Sequence, residues 1–177
     1  TLAGNTPGVG TGAWTTVSGS GSASTAGSAT SGVTGLTQGG STVLRWTVSN
    51  GVCSSSADDI TIESKNVFSA GAINTTGETV GYGGNPAVIG EATVASGGST
   101  TFSYRWKKNG LVILGATSTT YDPPSNITTG GVFTREVDDT GTPDCASWTA
   151  STGSWTVTVQ GASVGGTAGT STTICTG

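Results

Sequence analysis

The sequence predicts an all-β protein of tandem sandwich modules arranged end to end, and three observations lead there. Apolar residues alternate with period two through the extended segments, the mark of a half-buried strand. Gly, Ser and Thr make up half of the 177 residues and interrupt every window long enough to hold a helix. The order of strand, turn and cysteine then recurs along the chain, as in an internal repeat.

Taken in order, residues 13–18 form the first predicted strand, and the Gly/Ser/Ala/Thr tract 19–31 a weak strand flanked by loops. Residues 41–50 put Val43 and Arg45 on one face and Leu44, Trp46 and Val48 on the other. Asn50-Gly51 predicts a tight hairpin turn, with Ile60-Thr61-Ile62 as the returning strand. A second cycle follows Glu63-Ser64-Lys65-Asn66. Residues 101–107 place Phe102, Tyr104 and Trp106 on one face, Lys108-Asn109-Gly110 turns the chain, and residues 111–114 return. Tyr121-Asp122-Pro123-Pro124 makes a corner, residues 132–137 turn Phe133, Arg135 and Val137 to one side, and residues 155–159 close the cycle.

The repeat is explicit. Leu44-Arg45-Trp46-Thr47-Val48, a turn, Cys53 and Ile60-Thr61-Ile62 match Phe133-Thr134-Arg135-Glu136-Val137, a turn, Cys145 and Val157-Thr158-Val159. Gly77-Glu78-Thr79-Val80-Gly81-Tyr82-Gly83 matches Ser171-Thr172-Thr173-Ile174-Cys175-Thr176-Gly177. The expected modules are 1–64, whose opening strand is expected to be missing, 65–160, and 161–177 as a linker with the first strand of a third. In the second module a Trp on a central strand, an alternating late strand and closely spaced turns predict an immunoglobulin-like sandwich. Neither 101–107 nor 132–137 carries a Cys, which disfavours the antibody type and points to a PKD-like or other bacterial immunoglobulin-like module.

Composition narrows the function. Leu, Ile, Val and Phe fall just under the ~20% level that accompanies disorder, but the net charge is only −4, and disorder needs more charge than that. Five Trp and three Tyr at strand spacing suit thin, Trp-anchored cores instead. Trp46, Trp106 and Trp155 are the expected core residues. Trp14 and Trp148, set among Thr, Ser and Gly, stay open between core and an exposed sugar-stacking face.

With no His, Ser-His-Asp and Cys-His arrangements are excluded, and the chain is expected not to be an enzyme. Scattered Lys and Arg disfavour nucleic acid, and no apolar run reaches the ~20 residues of a membrane span. Thr1-Leu2-Ala3-Gly4 reads as the interior of a longer chain, without a signal peptide. No cofactor is expected. The one candidate cation site, for calcium, is Asp138, Asp139 and Asp144, with a solvated loop as the favoured reading. Asp58-Asp59 and Asp138-Asp139 are expected in or beside hairpin turns, where Asp caps backbone groups.

Several stretches resemble one repeat type of the giant SprB-like gliding-motility adhesins and related type IX-secreted surface proteins of Bacteroidetes. In the first module they are Leu2-Ala3-Gly4-Asn5-Thr6-Pro7, Gly12-Ala13-Trp14-Thr15, Val33-Thr34-Gly35-Leu36, Arg45-Trp46-Thr47-Val48-Ser49-Asn50-Gly51 and Ser56-Ala57-Asp58-Asp59-Ile60-Thr61-Ile62. The second module resembles the repeat that often follows, through Gly83-Gly84-Asn85-Pro86-Ala87, Ser103-Tyr104-Arg105-Trp106, the run from Gly115 to Pro124, and Thr134-Arg135-Glu136-Val137. Where the opening strand of that repeat often bears a Cys, as at Cys175, the second module has Gly81.

The resemblance implies a stalk segment of an extracellular adhesin filament at the cell surface, serving gliding motility and attachment. Its implied partners are neighbouring repeats of the same chain, surface polysaccharide or other copies of the filament, and the outer-membrane secretion and motility machinery. Two alternatives stay open: a carbohydrate-binding module of a secreted enzyme, and a subunit of a self-associating fibre. Within the repeat, a complete module would pair the position of Cys53 and Cys145 with that of Cys175. Cys53, Cys145 and Cys175 are therefore expected to be unpaired with one another in this chain.

Overall fold

A computed structural model describes residues 1–141, 147–166 and 169. The described residues are all-β, with no helix, in four sheets. The strands are β1 (Thr11–Ser18), β2 (Ser22–Ala23), β3 (Val33–Thr34), β4 (Ser41–Ser49), β5 (Ser56–Glu63), β6 (Ala72–Ile73), β7 (Glu78–Val80), β8 (Glu91–Thr93), β9 (Phe102–Lys108), β10 (Leu111–Val112), β11 (Gly131–Asp139), β12 (Thr149–Ala150) and β13 (Trp155–Val159).

The chain divides into two compact units. Unit 1 holds Thr1–Ser69, Ser96–Phe102 and the segment from Asp139; unit 2 holds Ala70–Ala95, Ser103–Asp138 and the segment from Ser147. Residues 65–69, 96–102 and 139–141, which the sequence reading assigned to the second module, thus belong by contact to unit 1. Ser69 pairs with Ser96, the Thr140 N–H donates to the Thr101 carbonyl at 3.0 Å, and the Phe68 and Phe102 rings sit 5.6 Å apart.

In unit 1 the sheet order is β1-β4-β5, antiparallel throughout, beside a small β2-β3 ladder. Trp14 lies opposite Trp46 in register, their rings tilted at 5.1 Å, and with Leu2 and Leu44 they form the core. Both indoles keep a partner, as buried Trp requires: Trp14 Nε1 donates to Ser28 O at 3.1 Å, and Trp46 Nε1 to Asn5 Oδ1 at 3.1 Å. Residues 2–5 lie against this core, Leu2 N–H bonding Ser31 O and Gly4 N–H bonding Ala29 O. Gly12 has no room for a side chain, since a Cβ there would overlap the Trp46 ring.

The turn after β4 is not the tight hairpin turn expected at Asn50-Gly51. Residues 50–55 form a longer loop, and Asn50 Oδ1 accepts the N–H groups of Val52 and Cys53 at 3.1 and 2.9 Å. The Asn side chain replaces the backbone bond that would have closed a shorter turn. Cys53 consequently sits in this loop, ahead of the returning strand.

In unit 2 the main sheet runs β10-β9-β11-β13-β7, with β12 also paired to β11, and β6 pairs β8 separately. β7 and β13 run parallel, Glu78, Thr79 and Val80 beside Val157, Thr158 and Val159. The β9–β10 hairpin turns on Asn109 (φ 51°) and Gly110 (φ 82°), the two positive angles of a type I′ turn. Trp106, Phe133, Trp155 and Val157 pack with Ile73, Ile89 and Ile127. Tyr121 sits 5.7 Å from both Trp106 and Phe133.

Candidate functional site

Strand phase decides where the polar groups of β11 go. Along β11, Phe133, Arg135, Val137 and Asp139 point inward and are buried. Arg135 is the surprising member, because a buried guanidinium must have its charge and donors met. Its Nη1 donates to Glu91 Oε1 at 2.5 Å and to Thr119 O at 2.8 Å, its Nε to Ser151 Oγ at 3.0 Å, and its Nη2 to Ala70 O at 3.3 Å. Ser151 Oγ bonds Ala70 O in turn at 2.8 Å, and the Arg135 guanidinium faces the Tyr104 ring. Burial, with help from Glu91, pushes the Tyr104 phenol above its ordinary value. One side chain thereby ties β11 to four other segments.

On the outer face, Glu136 accepts from Arg105 at 2.5 Å and from Lys107 at 2.6 Å. Burial works to raise the Glu136 carboxyl, but the bonds from Lys107 and Arg105 outweigh it and hold the group below its ordinary value. Trp148 lies over the Arg105 guanidinium at 4.2 Å and is 37% exposed. The two open tryptophans therefore part company: Trp14 is core, and Trp148 caps a charge at the surface. Trp46, Trp106 and Trp155 are all buried. The described residues present no flat row of exposed tryptophans.

Of the two acidic pairs expected in or beside turns, only Asp138-Asp139 lies beside one, at 140–141; Asp58-Asp59 is mid-strand. Asp58 and Asp59 lie within β5, opposite Trp46 and Arg45. Asp59 takes a two-point bond from Arg45, 2.7 and 2.8 Å, and this bond holds its carboxyl below the ordinary value. Asp138 and Asp139 end β11, and Asp139 is buried rather than solvated, because the Ser99 N–H (2.9 Å) and hydroxyl both donate to it. Asp144 lies outside the described residues, among which no three acidic or cysteine side chains converge on a cation position. Cys53 is an exposed free thiol; Cys145 and Cys175 lie outside the described residues.

Unit 1 carries the more open feature. Beside β5 runs a groove of about 420 Å³ between residues 3–5 and the strand, with Trp14 and Trp46 in its lining. Ile60 faces into it and remains 41% exposed. β5 ends its sheet, so one edge pairs β4 and the other has no strand partner among the described residues. Sequence reading placed the strand but missed its open edge, because alternation tells which face is inward and not which edge is covered.

No family model matches the chain, and no curated protein matches it. No helix among the described residues is long and apolar enough to cross a membrane.

Proposed function

We propose that the chain is a stalk segment of an extracellular cell-surface filament, transmitting force between an anchor and an adhesive tip, as the likeness to SprB-like gliding adhesins implies. In this reading unit 2 is an immunoglobulin-like module, supported by the sheet order β10-β9-β11-β13-β7 and by the early strand β7 running parallel to the final strand β13. That parallel pair carries the proposal. When a module is pulled from its two ends, a parallel pair of early and late strands is loaded along its length. Its hydrogen bonds must then break together rather than one by one. The Arg135 cluster adds side-chain ties among the segments behind it. The chain is proposed to have no catalytic role.

Force spectroscopy on the chain, held at its two ends, tests the mechanical half. Unit 2 should unfold in one abrupt step, and replacing Val80 with Pro, which removes an amide facing β13 in the β7–β13 pair, should lower the unfolding force by at least half. Gradual yielding at low force in both chains rejects the stalk role. Antibody labelling of intact source cells, with deletion of the repeats and scoring of surface attachment, tests the cellular half. Internal labelling, or unchanged attachment, rejects it. A self-associating fibre is the second reading, favoured by the open edge of β5.

A further inference from the structure

We propose that β5 is a docking edge for a strand donated by a second copy of this chain, and that the donor is the segment 171–176. The inference does not rest on the stalk reading, since it follows from the edge itself.

Ser64 N–H donates to Gly40 O, which fixes the phase of the β4–β5 ladder. The amides of Ile62, Ile60, Asp58 and Ser56 therefore face β4, and those of Glu63, Thr61, Asp59 and Ala57 face away. Asp59 N–H agrees with this phase: its bond goes to the neighbouring Asp58 carboxylate at 3.0 Å. The outer edge thus offers a row of donors and acceptors beside a groove lined by tryptophan. Such an edge is a template for an added strand.

Unit 2 shows what fits. Its last strand, β13, matches β5 in the repeat and has the edge filled by β7, in parallel, with Gln160 N–H extending the ladder to Val80 O at 2.8 Å. The inward residues of β13 are closed over, Trp155 at 9% and Val157 at 2% exposure, against 41% for Ile60 of β5. The chain encodes a second β7-like sequence, Ser171 to Gly177, in which Ile174 corresponds to Val80. Residues 171–176 lie outside the described residues; in the proposed contact, the β7–β13 register carried across by the repeat would set Thr172 beside Ile60, Thr173 beside Thr61, and Ile174 beside Ile62.

Charge selects this donor over another β5. The β5 strand carries Asp58, Asp59 and Glu63, so two such edges repel each other, whereas 171–176 has no charged side chain and its hydroxyls can donate to Asp58. Donor and acceptor are different surfaces, so the contact is head to tail and propagates.

The test is sedimentation of the 177-residue chain under reducing conditions, up to about 1 mM, with hydrogen exchange at the β5 amides. The average mass should rise with concentration, and protection at Thr61 and Glu63, the outward amides that the register sets against Thr172 and Ile174, should rise with it. Ile174→Asp should disable the donor and Thr61→Pro the acceptor, each moving association at least about tenfold higher in concentration. Ile60→Lys, which blocks the groove without altering the backbone, stands in for Thr61→Pro should that chain not fold. Mixing the donor variant with either acceptor variant should give a 1:1 dimer and nothing larger, since one competent end of each kind remains. A chain monomeric at every concentration overturns the proposal. So does a mixture that forms no dimer, or β5 protection that is independent of concentration.

Discussion

Replacing Arg135 with Met removes a buried charge but leaves the groups around it. Ser151 Oγ keeps its bond to Ala70 O, so the hydroxyl stays satisfied. The Glu91 carboxylate, with a side chain only 20% exposed, loses its cationic partner, and Thr119 O loses a donor. Removing one member of a buried pair costs about 3–5 kcal/mol, largely because the other is left unmatched. A module this small sits toward the low end of the usual ~5–15 kcal/mol of stability, so Arg135→Met should leave unit 2 barely folded. Arg135→Lys keeps the charge and loses the planar fork, and should cost about 2 kcal/mol. The informative chain is the double variant, Arg135→Met with Glu91→Leu, which removes both charges. If the penalty is a stranded carboxylate, the double variant costs less than the sum of the singles by about 2 kcal/mol or more. The assay is urea unfolding followed by Trp fluorescence, with Trp14 and Trp46 changed to Phe so that only unit 2 reports. Additive losses, or a single-variant cost under about 1 kcal/mol, would show that the guanidinium is not a coupled partner of Glu91.

Trp106→Ala and Trp46→Ala should each destabilise their own unit by about 3–5 kcal/mol, seen as the loss of one unfolding transition while the other stays in place. Gly12→Ala should cost about 1–3 kcal/mol in unit 1 through overlap with the Trp46 ring, and Gly12→Ala combined with Trp46→Leu should recover part of it in the same denaturant assay. Glu136 has a folded-state carboxyl held below its unfolded value, so its stabilising effect is full above the unfolded value, near ~4.3. That effect fades as pH falls through the lower folded value. Glu136→Gln should therefore flatten the acid limb of a stability-against-pH curve below about pH 5 and change little of its shape near neutrality. An unaltered acid limb would remove Glu136 from the account.

The strands were legible because alternation survives in a Thr-rich chain: 41–50 and 132–137 each lie within about two residues of the observed β4 and β11. The same alternation already turned Arg135 inward with Phe133 and Val137. What it could not supply was the partner, since Glu91 lies 44 residues away and Ala70 lies 65. Trp14 escaped for a related reason. Its neighbours in sequence are polar, and its burial comes from Trp46 across the ladder and from the 28–29 backbone. Asn50-Gly51 misled because a side-chain acceptor can hold open a loop that a backbone bond would have shut. The sharing of 96–102 with unit 1 was invisible too, being set by pairings such as Ser69 with Ser96 rather than by any local composition.

The Arg135 cluster has a consequence for how unit 2 comes together. Its acceptors lie on segments at residues 70, 91, 119 and 151, so the desolvated guanidinium is fully compensated only when all four have arrived. A half-assembled unit would hold an unmet charge in its middle and fall back open. In a chain of look-alike Thr-rich strands, where a strand of one repeat can pair wrongly with the next, that penalty acts as a proofreading step. It favours the one arrangement in which residues scattered over some 80 positions meet around a single side chain.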